Sequence, residues 1–390
     1  MGIEPTTCGL RYRRSSQLSY PGSRYILPGN SIIRSMSLKE EALKILGEYK
    51  EKVWPLIKNE LKDADYPASF AIPQEYRKEV DWCWQVTREY PERQGKYLRP
   101  TLLCLVNEAL GGKREKALVT AAAMQISEEW LLIHDDVEDN SKMRRGEKAL
   151  HRIYGIEQAI NAGDILHLLM WQILNKNQQV LETELKMKIE AEFSRMLLRT
   201  ALGQGVEQKW AQENREDLKD EDWEFIADGK TSYYSMAGPM RLGAMIAGAD
   251  EEQLEVITRF GKSLGRCFQM VDDLLDVTSD FSGLKTKGND IYEAKRTVIL
   301  IHLINQVKGE DKEKLTAFLN KEDDKRTEEE VSWVLKKMKE YKSIEYGQKK
   351  AKEYQATALN ILNNELKFLS KEPARKKIET LVEFILKRDH

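Results

Sequence analysis

Residues 130–139 read WLLIHDDVED and residues 267–276 read CFQMVDDLLD, so an Asp-Asp-x-x-Asp motif follows an apolar run at two places in the chain. On a helix, residues four apart are neighbours on one face, and each motif therefore presents its first and last carboxylates together. Such like charges repel one another unless a cation lies between them. We call the two sets the first acidic motif (Asp135, Asp136 and Asp139) and the second acidic motif (Asp272, Asp273 and Asp276).

The ligand type of these motifs indicates the metal. Oxygen ligands with no His or Cys at a matching spacing favour Mg²⁺, which completes its shell with water and substrate phosphates. A single acidic cluster is equally well explained as a solvated helix end. Two clusters of identical spacing, each after an apolar helix, are poorly explained in that way, so the sequence predicts magnesium sites that face a phosphate-bearing substrate.

The rest of the chain has the pattern of a helical protein. Of its 390 residues 41% are hydrophobic and 32% charged, and apolar residues recur three and four positions apart between short Gly/Asp/Asn breaks. Eight of the ten prolines lie within the first 100 residues, so no proline-rich linker divides the long middle section. We expect an all-α, single-domain helical bundle over residues 36–390, beginning at the capping-box spacing Ser37-Leu-Lys-Glu40.

Residues 1–35 differ from the remainder in composition. They contain five arginines, a single acid and several serines and prolines. This composition is typical of an organellar transit peptide, although Pro21, Gly22 and Pro28 interrupt any long amphipathic helix. The alternative, which we favour, is a disordered or non-native extension ahead of a true start at Met36.

Charge and cysteine content argue against several classes of protein. The 62 Lys+Arg and 64 Asp+Glu give a net charge of −2, which disfavours nucleic acid as a partner. The four cysteines form no Cys-x-x-Cys pair, so neither a zinc cage nor a disulfide framework is indicated. No apolar run approaches the roughly 18 residues of a membrane span, and a cytoplasmic location is expected.

Basic residues flank the acidic motifs. Arg144 and Arg145 follow the first motif, Lys285 and Lys295 follow the second, and Gly95-Lys96-Tyr-Leu-Arg99-Pro100 precedes a predicted helix. Lysine acts as a point charge and arginine as a bidentate fork, and both suit diphosphate oxygens. For any one of these residues, a surface salt bridge is the alternative.

With these motifs in this order, the chain resembles the trans-isoprenyl diphosphate synthases of the polyprenyl synthetase family. The resemblance covers about residues 90–300 and includes six separate motifs. Besides the two acidic motifs, the first of which continues into Arg144-Arg145-Gly146, they are Gly95-Lys96-x-x-Arg99-Pro100, Gly203-Gln204 with Glu207, Lys230-Thr231, and Lys285 with Asp290 to Lys295.

The resemblance implies an isoprenoid synthase fold, all-α around a central active-site cavity, in a homodimer that joins isopentenyl diphosphate to an allylic diphosphate. The six aspartates would bind three Mg²⁺ ions that grip the allylic diphosphate. The resemblance further implies diphosphate contacts from Arg144, Lys230 and Lys285 on the allylic side and from Lys96, Arg99 and Arg145 on the isopentenyl side, with Lys295 also substrate-binding. Thr231 and Gln269 would lie beside the carbocation, for which helix packing is the alternative role.

Two positions bear on how far the resemblance extends. Glu128 lies where relatives often have a His or Gln that helps to bind isopentenyl diphosphate, so it must be salt-bridged or the site binds differently. Trp130, followed by Leu131, lies five positions before the first aspartate, where a bulky residue in similar enzymes limits product length. This favours a C15–C20 product, farnesyl or geranylgeranyl diphosphate, although an ordinary buried tryptophan is the alternative.

Three other functions are possible at this point. A class I terpene cyclase shares the first acidic motif, but cyclases usually have an Asn/Ser/Glu-type second motif and no second diphosphate site. A non-catalytic modulatory subunit of a prenyl diphosphate synthase typically loses one acidic motif, and this chain has both. A helical Mg²⁺-binding scaffold leaves the basic residues unexplained.

Overall fold

The first helix begins where the capping box predicts it. In this computed structural model, which describes residues 36–278, 288–322 and 325–387, the Glu40 N–H donates to Ser37 Oγ at 3.2 Å. Glu40 Oε2 in return accepts from the Ser37 N–H at 2.8 Å, and α1 starts at Leu38.

The predictions for residues 1–35 and for Lys285 concern positions outside the described residues.

Helices make up nearly all of the regular structure in the described residues, which confirms the all-α prediction. They are α1 (Leu38–Lys58), α2 (Arg77–Arg93), α3 (Leu98–Ala109), α4 (Arg114–Glu138), α5 (Leu150–Tyr154), α6 (Ile156–Asn175), α7 (Thr183–Gln212), α8 (Asp220–Ala227), α9 (Gly238–Ile246), α10 (Glu251–Thr278), α11 (Asn289–Tyr292), α12 (Val298–Gln306), α13 (Gly309–Leu319), α14 (Glu328–Glu340), α15 (Ser343–Asn364) and α16 (Ala374–Leu386). Across this described part of the chain, no helix is both long enough and apolar enough to cross a membrane.

The centre of the core is formed by α3 and the first half of α4. Residues 100–107 of α3 and residues 120–127 of α4 are buried. A helix that is buried on all sides must be surrounded by other helices, and α1, α9 and α16 pack on α3 while α6 packs on α4. This packing holds the C-terminal end of α4, where the first acidic motif lies.

Between α8 and α9 the chain forms a π-helix, Asp228–Ala237, which we call the π segment. It packs against α10 by direct backbone approach, because α10 has glycine at the contact positions. A Cβ added to Gly265 would lie 2.4 Å from Ser232 Cα, and one added to Gly261 would lie 2.5 Å from Ala237 Cα. The π segment is therefore held tightly against the helix that bears the second acidic motif.

The helix α10 connects two hydrophobic cores. Leu264 belongs to the main core, whereas Val277 belongs to a second core with residues of α11, α12 and α14 such as Ile291, Leu300 and Val334. Because the second acidic motif lies in the last turns of α10, the second core stabilises its position.

A short hairpin follows α4, and the sequence analysis did not predict it. Its strands are β1 (Met143–Arg144) and β2 (Glu147–Lys148), paired antiparallel. The two turn residues, Arg145 and Gly146, both have positive φ, at 55° and 83°, as a type I′ turn requires. The turn brings Arg144 and Arg145 back against α4.

Candidate active site

The first acidic motif lies at the C-terminal end of α4. Asp135 and Asp139 are one helical turn apart, since the Asp139 N–H donates to the Asp135 carbonyl at 2.8 Å. Both side chains are partly exposed, Asp135 to 27% and Asp139 to 15%. Burial raises the pKa of Asp139 to about 6, with Lys295 opposing the effect and Asp135 adding to it. The pair presents two accessible carboxylates on one face.

Asp136, between them in sequence, has different surroundings. Its side chain is fully buried, Oδ2 accepts from the Tyr90 hydroxyl at 2.5 Å, and the two oxygens accept from Arg144 Nε at 2.9 and 3.0 Å. The Tyr90 hydroxyl accepts in turn from the Leu150 N–H at 3.1 Å. Asp136 therefore links α4 to α2 and the hairpin. Its predicted role as a metal ligand stays untested, and these contacts favour a positioning role.

In the second acidic motif, Asp273 is buried. Its oxygens accept from Gln269 Nε2 at 2.8 Å and from Trp223 Nε1 at 3.2 Å. Burial, together with the charge of Asp290, holds the pKa of Asp273 well above its usual range. Asp273 is thus held in place by neighbours on α8 and α10.

Asp276 serves as a cap for the next helix. Its two carboxylate oxygens accept from the backbone N–H groups of Asn289 and Asp290, each at 3.1 Å, at the start of α11. Asp272, one turn earlier on α10, is half-buried. Asp276 therefore caps α11, a role that the identical spacing of the two motifs did not reveal.

The π segment brings the two motifs into one network. Lys230 Nζ lies 3.9 Å from Asp135 Oδ1 and 2.8 Å from Glu207 Oε2. Thr231 Oγ1 donates to Gln269 Oε1 at 2.5 Å. Lys230 in the π segment therefore contacts the first acidic motif. The next residue, Thr231, contacts α10 just before the second acidic motif. Thr231 and Gln269 are therefore in direct contact, and their role beside a carbocation stays a prediction.

Lys295 forms a second bridge between the chain segments around the two motifs. Its Nζ lies 3.2 Å from Asp139 Oδ2, 2.6 Å from Glu293 Oε2 and 3.9 Å from Asp290 Oδ1. Burial opposes the charged form, but these three carboxylates outweigh it and raise the pKa of Lys295. Lys295 and Lys230 are thus firmly protonated cations among carboxylates.

The helix α7 supplies the wall opposite α4. Gln204 Nε2 donates to Glu138 Oε2 at 2.9 Å and to Asp135 Oδ1 at 3.5 Å, and Gln208 donates to the same Glu138 oxygen at 2.8 Å. Burial would raise the pKa of Glu207, but Lys230 and Lys295 together hold it below its usual value. The Gly-Gln-x-x-Glu element therefore faces the first acidic motif.

A separate set of charges, which we call the arginine subsite, comprises Arg99, Arg145, Glu128 and Glu129. Glu128 Oε2 lies 3.0 Å from Arg99 Nη1, and its Oε1 lies 3.6 Å from Arg145 Nη2. Arg145 Nη1 also donates to Glu129 Oε2 at 2.8 Å. Of the two alternatives that the sequence left for Glu128, the salt bridge is observed. Lys96 is exposed in the loop between α2 and α3.

Trp130 lies within a cluster of aromatic side chains on α4 and α6. Its ring is 4.8 Å from the His167 ring and 5.7 Å from the His134 ring, measured between centroids. Trp171 follows, with its Nε1 donating to His167 Nε2 at 3.0 Å. Trp130 and Leu131 are both partly buried against the main core. The role of the tryptophan in limiting chain length stays a prediction, and His167 and Trp171 lie behind it.

Several residues at this site had no motif to indicate them. Tyr90, Trp223 and Glu129 act through hydrogen bonds to motif residues, and Tyr234 and Ser235 contact Arg99. Tyr234 and Ser235 could have been found from the sequence, because they lie about one helical turn after the Lys230-Thr231 motif. The contacts of Tyr90 and Trp223 depend on tertiary packing and have no local pattern.

The donor set fits Mg²⁺. Asp135 and Asp139 offer carboxylate oxygens at the end of α4, and Asp272 is a half-buried carboxylate near the end of α10. This matches Mg²⁺, which is usually held by one or two carboxylates while substrate phosphates and water complete its shell. A binding site of this kind is completed by its substrate.

An all-α bundle with two Asp-Asp-x-x-Asp helix ends around shared lysines is the isoprenoid synthase fold. The chain belongs to the polyprenyl synthetase family, whose model matches residues 80–338. A solved geranylgeranyl pyrophosphate synthetase from Pyrococcus horikoshii is similar, with a TM-score of 0.77, 25% identity, and coverage of 90% of this chain and 100% of that one.

Curated relatives agree with this assignment. The geranylgeranyl diphosphate synthase of Sulfolobus acidocaldarius is 33% identical over 75% of this chain and 87% of its own length. The geranylfarnesyl diphosphate synthase of Natronomonas pharaonis is 28% identical over 79% of this chain and 90% of its own length. The chain is therefore a trans-prenyltransferase of the isoprenyl diphosphate synthase type, in a Mg²⁺-dependent family that uses isopentenyl and allylic diphosphates.

Proposed function

We propose that the protein elongates an allylic diphosphate with isopentenyl diphosphate to a C15–C20 trans-prenyl diphosphate at the site described above. One observation supports this most directly. Lys295 lies between Asp139 of the first acidic motif and Asp290, whose N–H donates to Asp276 of the second. Lys230 pairs with Asp135, and the next residue, Thr231, donates to Gln269 on α10, so cations and carboxylates from both helix ends can act on one diphosphate. The arginine subsite provides a separate place for the second diphosphate.

We assign the metal-binding oxygens to Asp135 and Asp139 on one side and to Asp272 on the other. Asp136 is assigned to positioning because it is fully buried against Tyr90 and Arg144, and Asp276 because both of its carboxylate oxygens accept from backbone N–H groups of α11. When bound, Mg²⁺ ions, three by the resemblance, supply positive charge that stabilises the leaving diphosphate.

The protein's own part in ionisation follows from charge. Breaking the allylic C–O bond leaves the electron pair on the diphosphate and a cation on the prenyl chain. We assign Lys230 to neutralising the diphosphate. Arg144 holds the Asp135 and Asp136 carboxylates in place through its guanidinium group. The oxygens of Thr231 and Gln269 are assigned to the cation, because this pair bridges the π segment and α10 beside Lys230.

The second substrate is assigned to the arginine subsite and Lys96. Arg99 and Arg145 offer forked guanidinium donors that suit the oxygens of isopentenyl diphosphate. Positioned there, its double bond attacks the prenyl cation, a C–C bond forms, and the released pyrophosphate takes the proton. No protein base is needed for this sequence of steps.

The product length is assigned to Trp130 and Leu131. Five residues of helix span about 7.5 Å, so the tryptophan lies below the metal-binding carboxylates by about the length of one or two isoprene units. The names of the relatives support short products, and Trp130 supports a stop within that range.

Incubation with Mg²⁺, labelled isopentenyl diphosphate and C5, C10 or C15 primers tests the proposal. We expect labelled linear prenyl diphosphates of C15–C20, with turnover lost on chelation. A cyclic hydrocarbon would indicate a terpene cyclase. Absence of turnover with every primer would indicate a modulatory subunit.

A further inference from the structure

Glu128 occupies the space between the two arginines of the arginine subsite. One carboxylate oxygen lies 3.0 Å from Arg99 and the other 3.6 Å from Arg145, so the group spans both guanidinium groups. Its side chain is 15% exposed, and those of Arg99 and Arg145 are 21% and 16% exposed. Charge pairs shielded from water to this degree are stronger than pairs on the open surface.

Both arginines are held in place without Glu128. Arg99 Nη2 donates to Ser235 Oγ at 2.8 Å, and its guanidinium carbon lies 4.5 Å from the centre of the Tyr234 ring. Arg145 donates to both oxygens of Glu129, at 2.8 and 3.2 Å, and to the Tyr90 carbonyl at 3.0 Å. Glu128 is therefore not required to orient either arginine.

The charges of the subsite are balanced before any substrate binds. Glu128 and Glu129 offset Arg99 and Arg145, and Gln125 Nε2 donates to both glutamates, at 3.2 and 2.7 Å. A diphosphate that binds the two arginines must displace the Glu128 carboxylate or accept its repulsion. Glu129 is 1% exposed and lies behind Arg145, so Glu128 is the carboxylate that an incoming diphosphate meets.

We propose that Glu128 acts as an internal competitor for the diphosphate of isopentenyl diphosphate, pairing with Arg99 and Arg145 in the free enzyme and thereby setting a weak affinity for this substrate. The inference rests on the proposed function of the subsite. Lys230 and Lys295, assigned to the allylic diphosphate, have no contact with Glu128 among those described. Glu128 therefore affects one substrate and leaves the other unaffected.

The test compares Glu128→Gln and Glu128→Ala with the unaltered protein in steady-state kinetics. We expect each variant to lower KM for isopentenyl diphosphate by about tenfold, the factor that corresponds to releasing one charge-assisted hydrogen bond. We expect KM for the allylic primer to change by less than about twofold, since charge at the other site is unaltered.

A matched control is Glu108→Gln. Glu108 is also ion-paired and largely buried, 17% exposed and 2.7 Å from Arg114, but it lies on α3 away from the arginine subsite. It should leave both KM values unchanged. Calorimetric titration with isopentenyl diphosphate alone, without Mg²⁺ or primer, gives an independent affinity, and both Glu128 variants should bind more tightly.

Unchanged binding of isopentenyl diphosphate by the Glu128 variants would overturn the proposal. Weaker binding would also overturn it and would make Glu128 a positioning residue for the arginines. A failure of the proposed function would look different. The unaltered protein would then form no prenyl product with any primer, while the calorimetric comparison would still measure whether Glu128 opposes the diphosphate.

Discussion

Asp135 and Asp136 are adjacent in sequence, yet one faces the site and the other is buried among donors. Asp135→Asn should lower kcat by about a thousandfold or more, because it removes a metal-binding charge, with little change in thermal stability. Asp136→Asn should instead destabilise the fold by about 3 kcal/mol, because Arg144 loses its buried partner. Turnover and thermal unfolding of both variants measure the contrast. Loss of all turnover in Asp136→Asn at unchanged stability would make Asp136 a ligand.

Trp130 separates the acidic motif from the aromatic side chains of α6. Trp130→Ala should lengthen the product by about one isoprene unit, because it opens space of that size before His167 and Trp171 are reached. Chromatography of the dephosphorylated products measures the length. The double variant with His167→Ala should extend it further. An unaltered product distribution in both variants would place the floor elsewhere.

The π segment and α10 form one unit, because two glycines allow their backbones to touch. Gly265→Ala would place a methyl group 2.4 Å from Ser232 Cα, so the π segment must move away and take Thr231 from Gln269. We expect a loss of about 1–3 kcal/mol of stability and about a hundredfold of turnover. Thermal unfolding and kcat are the measurements.

The control for this substitution is Gly47→Ala. Gly47 lies inside α1, and an added Cβ would meet no atom within 4 Å. This variant should gain about 0.5–1 kcal/mol of stability, because alanine favours the helix, and should keep full turnover. If Gly265→Ala behaves as Gly47→Ala does, the close packing of the π segment has no functional role.

Helix periodicity predicted the all-α class from the sequence, and the Ser37–Glu40 capping box predicted where α1 begins. The π segment was not predicted, because its i to i+5 bonding leaves no distinct apolar period and depends on packing against α10. The hairpin was not predicted because its two-residue strands are too short for alternation, although Arg145-Gly146 is a recognisable turn pair.

At the level of the whole molecule, the motifs predicted which residues lie near one another but not which partner each side chain contacts. Lys295 and Asp139 are far apart in sequence, and their contact depends on how two cores place α4 and the connection between α11 and α12. The same applies to Asp136 and Asp276, which share the motif pattern with metal-binding positions but accept from Tyr90 and from the start of α11. Spacing alone does not distinguish a ligand from a cap.

An apolar stripe on α7 is the surface on which we place the homodimer interface that the resemblance implies. Met187, Leu198 and Leu202 share one helix face and are 63%, 62% and 56% exposed, so a second copy is the expected cover. Sedimentation should give twice the mass of one chain, and Leu198→Glu with Leu202→Glu should give single chains. Leu43→Glu, an exposed position on α1, is the control and should stay dimeric. A monomeric unaltered protein would contradict the expectation.

The central claim is that both acidic motifs act on one diphosphate. A crystal structure with Mn²⁺ and an uncleavable thiolo analogue of an allylic diphosphate tests it directly, because Mn²⁺ has an anomalous signal. We predict metal peaks beside Asp135 and Asp139 and beside Asp272, all on a single diphosphate that also contacts Lys230. Peaks on separate anions, or carboxylates of either motif turned to bulk solvent, would contradict the account.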